Sequence, residues 1–172
     1  MSGGGARPAA LPAVEIFWSW LGALLGIGLV GALHQFLLEP RDLVLIIASF
    51  GASAVLIYGA IDSPLAQPRN LVGGHLVSGL VGVAVFLLFG STPWLAGALA
   101  VSLAIAAMQW SGTLHPPGGA TALIAVIGSP AIHKLGWVYP LLPATTGAVL
   151  MLGVALTVNN LAPSRRYPRY WW

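Results

Sequence analysis

NLVGGHLVSGLVGVAVFLLFGSTPWLAGALAVSLAIAAMQWSGTLHPPGGATALIAVIGSPAIH is residues 70–133, and its 64 residues contain no Asp, Glu, Lys or Arg. One helical crossing of a bilayer takes about 20 apolar residues, so this stretch has room for about three. The rest of the chain agrees. It is 58% hydrophobic and 6% charged, with a mean hydropathy of +0.88. Soluble domains carry roughly a quarter charged residues. Seven basic and four acidic side chains cannot coat a water-facing globule of 172 residues. Disorder is excluded as well, since it requires low hydrophobicity and high charge. The expectation is an all-α, multi-pass membrane protein.

Working outward, six apolar segments emerge. Segment one, Phe17 to Leu38, ends in the turn Glu39-Pro40-Arg41-Asp42. Segment two, Leu43 to Ala60, has Gly51-Ala52-Ser53 near its middle. After the polar loop Asp62 to Asn70 come segment three, Leu71 to Phe89, and segment four, Trp94 to Trp110. Segment five starts at Leu114-His115-Pro116-Pro117 and ends at Ile127, short for a full crossing. A loop at Gly128 to Gly136, holding His133 and Lys134, leads to segment six, Trp137 to Val158. Residues 1–13 are expected to be a flexible tail, 14–162 a single membrane domain, and 163–172 a basic, aromatic tail at the headgroup level. No soluble domain is expected at either end. The count is six crossings, or four if segments two and five are re-entrant. With six, Arg7, Arg69, Arg165, Arg166 and Arg169 share a side against Arg41 and Lys134. That excess favours cytoplasmic termini in a cell (inner or plasma) membrane. The net charge of +3 is accounted for in this way, not by nucleic acid. With no Cys, thiol chemistry and disulfides are excluded.

Gly51-Ala52-Ser53-Ala54 resembles Gly119-Ala120-Thr121-Ala122 at an offset of 68. Gly79 and Gly147 match at the same offset, and Ser63-Pro64 and Ser129-Pro130 at nearly the same. Two halves of three segments each would be inverted across the membrane, as in many transporters. Chance alignment of Gly/Ala-rich spans is the alternative.

The densest chemistry lies at His115-Pro116-Pro117-Gly118-Gly119-Ala120-Thr121. Two prolines block helix before them and suit the first turn of a helix after them. Two glycines admit a close neighbour. A helix start offers free N–H groups and partial positive charge, which suits an anion. Gly51-Ala52-Ser53 would supply a second start with a second hydroxyl. An ordinary interfacial turn at 115–117 and a small-residue packing face at 51–53 are the plainer readings. His115, at the break, is the best candidate for a titratable group lining a path, and His75 follows it. His34 and His133 are expected to be solvated near interfaces. Gln67, Arg69 and Asn70 form a third polar cluster, with Arg69 either recruiting anions or pairing with Asp62. Gly22 and Gly26, and Ser78 and Gly82, have the spacing of close helix packing, within the fold or between subunits. No metal site or other cofactor is expected. Nor is an enzyme, because no nucleophile and base stand in a recognisable pattern.

Three motifs in order carry a family resemblance: Phe50-Gly51-Ala52-Ser53-Ala54-Val55, then Ser63 to Asn70 with Gly73-Gly74-His75, then Thr113 to Ala122. The sequence resembles the HPP family of integral membrane proteins over roughly residues 15–160. The resemblance implies four spanning helices, which suits re-entrant segments two and five. It also implies a transport role, since members in cyanobacteria and chloroplasts are implicated in nitrite transport. Some members carry CBS regulatory domains, and this sequence shows none. The resulting expectation is a permease or channel for a small anion, nitrite first. The N–H groups of Gly118 to Thr121, Ala52 and Ser53 would hold the anion, Thr121 and Ser53 would donate hydrogen bonds, His115 would gate or carry a proton, and Arg69 would gather anions. Six short spans are few to enclose a path, which points to a homo-oligomer in the lipid bilayer. Transport of another small solute, or a scaffold that moves nothing, is the rival expectation.

Overall fold

A computed structural model describes residues 10–41 and 43–172. Arg7 and Asp42, used in the charge and turn arguments above, lie outside the described residues, as does most of the expected N-terminal tail. Among the described residues the regular structure is entirely helical. Helix α1, Ala13–Leu33, continues through a wider turn at His34–Leu38. It begins four residues before Phe17 because Glu15 is tied down from the other end of the chain, as shown below. Helix α2 is Ser49–Ala54, extended by a wider turn at Val55–Gly59. Helices α3 (Pro68–Phe89), α4 (Pro93–Ser111), α5 (Pro116–Ile127) and α6 (Pro130–Leu135) each start on a proline. Proline's fixed φ suits that position, and the N–H it lacks has no partner there. Helix α7, Thr146–Leu161, continues the wider turn Pro140–Thr145, which kinks at Leu142 beside Pro143. Helix α4 stops at Gly112, whose φ of +66° is the left-handed cap that glycine provides.

Four helical stretches are long and apolar enough to cross a membrane: Ala13–Leu38, Pro68–Phe89, Pro93–Ser111 and Pro140–Leu161. Of the two expected counts this supports four over six, or five if α5 and the 130–138 segment, bent from it by 94°, make one span. Segment two fails as a span because residues 43–47 are not helical. The expected loop at 128–136 holds a helix, α6. At 1.5 Å per residue, α5 spans only about 18 Å of a core about 30 Å thick.

The helices pair in a way that exchanges the two halves. Helix α1 packs on the segment around α2 as α4 packs on α5, and α3 packs on α4 as α7 packs on α1. The half-length helices α2 and α5 meet each other. The bundle also reverses the usual distribution of polarity. Ser53, His75, His115, Thr121, Gln67 and Asn159 are fully buried, while Trp110 is 93% and Leu88 75% exposed. In lipid that is the favourable arrangement: apolar side chains face the solvent, and polar groups find partners inside.

The small-residue motifs are used inside the fold. A Cβ at Gly22 or Gly26 would meet the Tyr58 ring at 2.6 and 2.7 Å. The Tyr58 phenol donates to the Met151 carbonyl at 3.0 Å. Gly82 lets α3 close on α5, its Cβ position lying 2.7 Å from the Ala122 carbonyl.

Candidate functional site

The site forms where α2 and α5 meet against α3. Non-helical chain precedes both half-helices, so each enters the bundle interior as an extended segment and leaves as a helix. Ser49 and Ser53, one turn apart, put two hydroxyls on one face of α2. Thr121 comes from the second turn of α5, His75 from α3, and His115 stands immediately before Pro116. Close approach is possible because Gly74 leaves the His115 side chain room: a Cβ there would lie 2.5 Å from the His115 Cβ. Gly118 does the same for Ser78 and Met108, at 2.6 and 2.8 Å.

These side chains form one connected row. Ser53 Oγ is 2.8 Å from His75 Nε2 and 2.9 Å from His115 Nε2. His75 Nδ1 is 2.7 Å from Thr121 Oγ1, which is 2.9 Å from Ser49 Oγ. His115 Nδ1 donates to the Leu65 carbonyl at 2.8 Å. The two rings lie 5.2 Å apart, and Phe50 meets His75 edge-on at 5.3 Å. Tyr139 donates to the Thr121 carbonyl at 2.9 Å. Among the described residues no buried side-chain polar atom is left without a partner. Water does not reach the row, because both rings, Ser53 and Thr121 are fully buried.

The structure changes the expected anion cradle. Pro116 and Pro117 occupy the first two positions of α5 and have no N–H, while the Gly118 N–H turns back to the His115 carbonyl at 2.8 Å. Of the amide donors at the start of α5, two are thus missing and a third is engaged, which leaves a poor cradle for an anion. Helix α2 begins at Ser49, not at Gly51-Ala52-Ser53. The Phe50 and Gly51 N–H groups bond the Ile47 and Ala48 carbonyls at 3.0 and 3.2 Å. The donors that do converge are side chains.

The third polar cluster is structural in its contacts. Gln67, fully buried, donates to the carbonyls of Ile61 and Ser63 at 2.9 and 2.8 Å and accepts from the Arg169 N–H at 2.8 Å. Arg69 donates to the Ser111 carbonyl at 2.7 Å, and Asn70 to that of Leu114 at 2.8 Å. Together they fasten α3 to the segment leading into His115. Asp62 pairs with Arg169, 2.5 Å away, and not with Arg69. His133 stacks on Phe86 at 4.0 Å and bonds the Val126 carbonyl, so it is half-buried and packed, not freely solvated.

Sequence reading missed Ser49, the Leu65 carbonyl and Tyr139. Ser49 was within reach, since its i, i+4 spacing from Ser53 marks one helix face. The Leu65 carbonyl carries no sequence signal. Sequence reading also found no nucleophile beside a base, and that is corrected here: Ser53 touches two imidazoles, one of them oriented by a carbonyl. The terminal tail is docked as well. Arg165, 5% exposed, bonds Glu15 at 2.7 Å, and Tyr167 donates to the Ala66 carbonyl at 2.7 Å.

The model of the HPP transmembrane region matches residues 8–168. The chain belongs to the HPP family. It is 46% identical to one transmembrane protein of Dictyostelium discoideum over 99% of this chain and 55% of that protein. A second transmembrane protein of that organism is 45% identical over 96% of this chain and 59% of its own length. The chain thus spans about half the length of the curated relatives it matches. No solved structure matches it. In this HPP protein the tripeptide His115-Pro116-Pro117 sets an imidazole at a helix start whose own amide donors the prolines have removed.

Proposed function

We infer that the chain is a transporter or channel for a small anion, with nitrite as the first candidate, and not an enzyme. One observation carries the reading: neutral donors on three separate elements converge at the meeting of two half-helices, inside a bundle whose exterior suits lipid. A small anion needs several donors and little else. A fixed buried cation would hold it too firmly to release, and none of the bonds of this row comes from one. The imidazole N–H groups and the hydroxyls of Ser53 and Thr121 take the role first assigned to backbone amides. The sealed junction is then a closed state, and passage requires α2 and α5 to part. The same reading puts the termini on the cytoplasmic side of the cell membrane.

The test is nitrite flux into proteoliposomes, with protein-free vesicles as the baseline. Wild type is expected to exceed the baseline, and His115→Ala and Thr121→Val to fall toward it. Variants that transport as well as wild type overturn the assigned site. Flux of formate, nitrate or chloride in place of nitrite changes the substrate, and impermeable vesicles favour the scaffold reading.

A further inference from the structure

The row of side chains can be assigned hydrogen by hydrogen. A carbonyl oxygen only accepts, so the Leu65 carbonyl fixes a hydrogen on His115 Nδ1 and leaves Nε2 of the neutral ring an acceptor. Ser53 must give its single hydrogen to that nitrogen. Ser53 then meets His75 Nε2 as an acceptor, so His75 carries its hydrogen on Nε2. His75 Nδ1 is therefore an acceptor and takes the Thr121 hydrogen, which otherwise turns to Ser49 Oγ or the Pro117 carbonyl. One backbone carbonyl orients four side chains, and their bonds point from Thr121 toward Leu65.

We propose that this row is a proton path that moves one proton across the α2–α5 junction with each anion. The companion anion rests on the reading above, and the path rests on geometry alone. The transfer balances as follows. When α2 and α5 part and water reaches the junction, a proton from it binds Thr121 Oγ1 as the Thr121 proton passes to His75 Nδ1. His75 is then an imidazolium. Its Nε2 proton moves to Ser53 while the Ser53 proton moves to His115 Nε2. The charge now sits on His115, and His75 is left neutral with its hydrogen on Nδ1.

The groups facing the rings account for the coupling. Helix α2 contributes Ser49, Phe50 and Ser53, α5 contributes Thr121, and the turn at Pro64–Ala66 contributes the Leu65 carbonyl. Tyr139 bonds the Thr121 carbonyl, and Ser78 donates to Met108 behind Gly118. None of these carries a formal charge, so a proton on either ring is an unpaired buried charge, which is costly until an anion joins it. The Leu65 carbonyl is the plug. It has no hydrogen to pass on, so His115 Nδ1 releases a proton only when water takes the carbonyl's place. That requires the 61–67 turn to move, and the turn is held by Gln67, Tyr167 and Arg169.

The test uses the full chain in vesicles of phosphatidylcholine and phosphatidylglycerol, with a potassium gradient, valinomycin and an internal pH dye. Wild type is expected to admit protons, and faster with nitrite on the same side. Ser53→Ala, which severs the link between the rings, is expected to slow proton entry roughly a hundredfold or more, the low side of what a positioned proton-transfer group contributes. Ser53→Thr keeps a hydroxyl and is expected to restore entry. If Ser53→Ala does not fold, Thr121→Val cuts the row at another point and is expected to give the same loss. Proton entry equal to wild type in either folded variant overturns the path and leaves the anion reading intact, as does nitrite flux without any proton entry. Hydroxyl-dependent proton entry without nitrite flux supports the path and overturns the anion.

Discussion

The HPP protein buries two polar junctions, and they are built on opposite plans. At the tail, Arg165 reaches Glu15, Ser19, the Tyr58 carbonyl and Asn159. All five of its N–H groups have oxygen partners, and carboxylates and carbonyls cannot donate in return. That junction has one protonation state and one geometry. At the meeting of α2 and α5, three hydroxyls and two imidazoles both give and accept, so the same positions can hold their hydrogens in more than one order. A charged, one-way network suits a fastening. A neutral, two-way network suits a group that must change state and return.

The contrast can be tested, beginning where the largest loss is expected. Arg165→Ala leaves the half-buried Glu15 with Ser164 alone and strips the buried Tyr58 carbonyl and Asn159 Oδ1 of this donor, at about 1–3 kcal/mol for each orphaned group. Thermal unfolding in detergent should show the largest drop for this variant, with Arg165→Lys recovering little of it, because an ammonium cannot reproduce the planar fork. A drop no larger than that of Ser53→Ala removes the distinction between the junctions. Gly118→Ala comes next. Its methyl meets Ser78, Met108 and the Gly74 carbonyl, so a loss of about 1–3 kcal/mol is expected from overpacking. Ser53→Ala leaves His115 without its donor, at a similar cost of about 1–3 kcal/mol. A fluorophosphonate probe, which labels accessible activated serines, is expected to leave Ser53 unmodified in the folded protein. Labelling there makes the junction a hydrolytic centre.

The smallest effect is expected at Tyr167. Burial pushes its phenol above the ordinary range, so the folded state favours the neutral form. Its contribution is full below the unfolded value of about 10 and drains as pH rises beyond it. Tyr167→Phe should cost about 0.5–1.5 kcal/mol near neutrality, and the gap from wild type should narrow in alkali. A gap that widens with pH contradicts the buried donor.

The charge-free run at 70–133 was enough to read a helical membrane protein, because lipid leaves the backbone few alternatives. The break at His115-Pro116-Pro117 was legible for the same reason: proline chemistry is local. The crossing count was not, since residues 43–47 are as apolar as a helix would be and differ only in what they pack on. The role of the Pro-Pro pair was misread in detail. Proline marks a helix start, but it also deletes the donors that make such a start attractive to anions. Gln67, Arg69 and Asn70 look identical in sequence whether they greet a solute or hold a carbonyl. Only the partners at Ile61, Ser111 and Leu114 decide between these roles.

Ser53 and Thr121 stand at matching positions of the two halves, yet the rings they touch do not: the positions equivalent to His75 and His115 are Pro143 and Ile47. A scaffold made of two like halves has no preferred orientation of its own. By placing each histidine in one half only, this chain gives its midpoint an arrow, so that the two faces of the junction differ chemically.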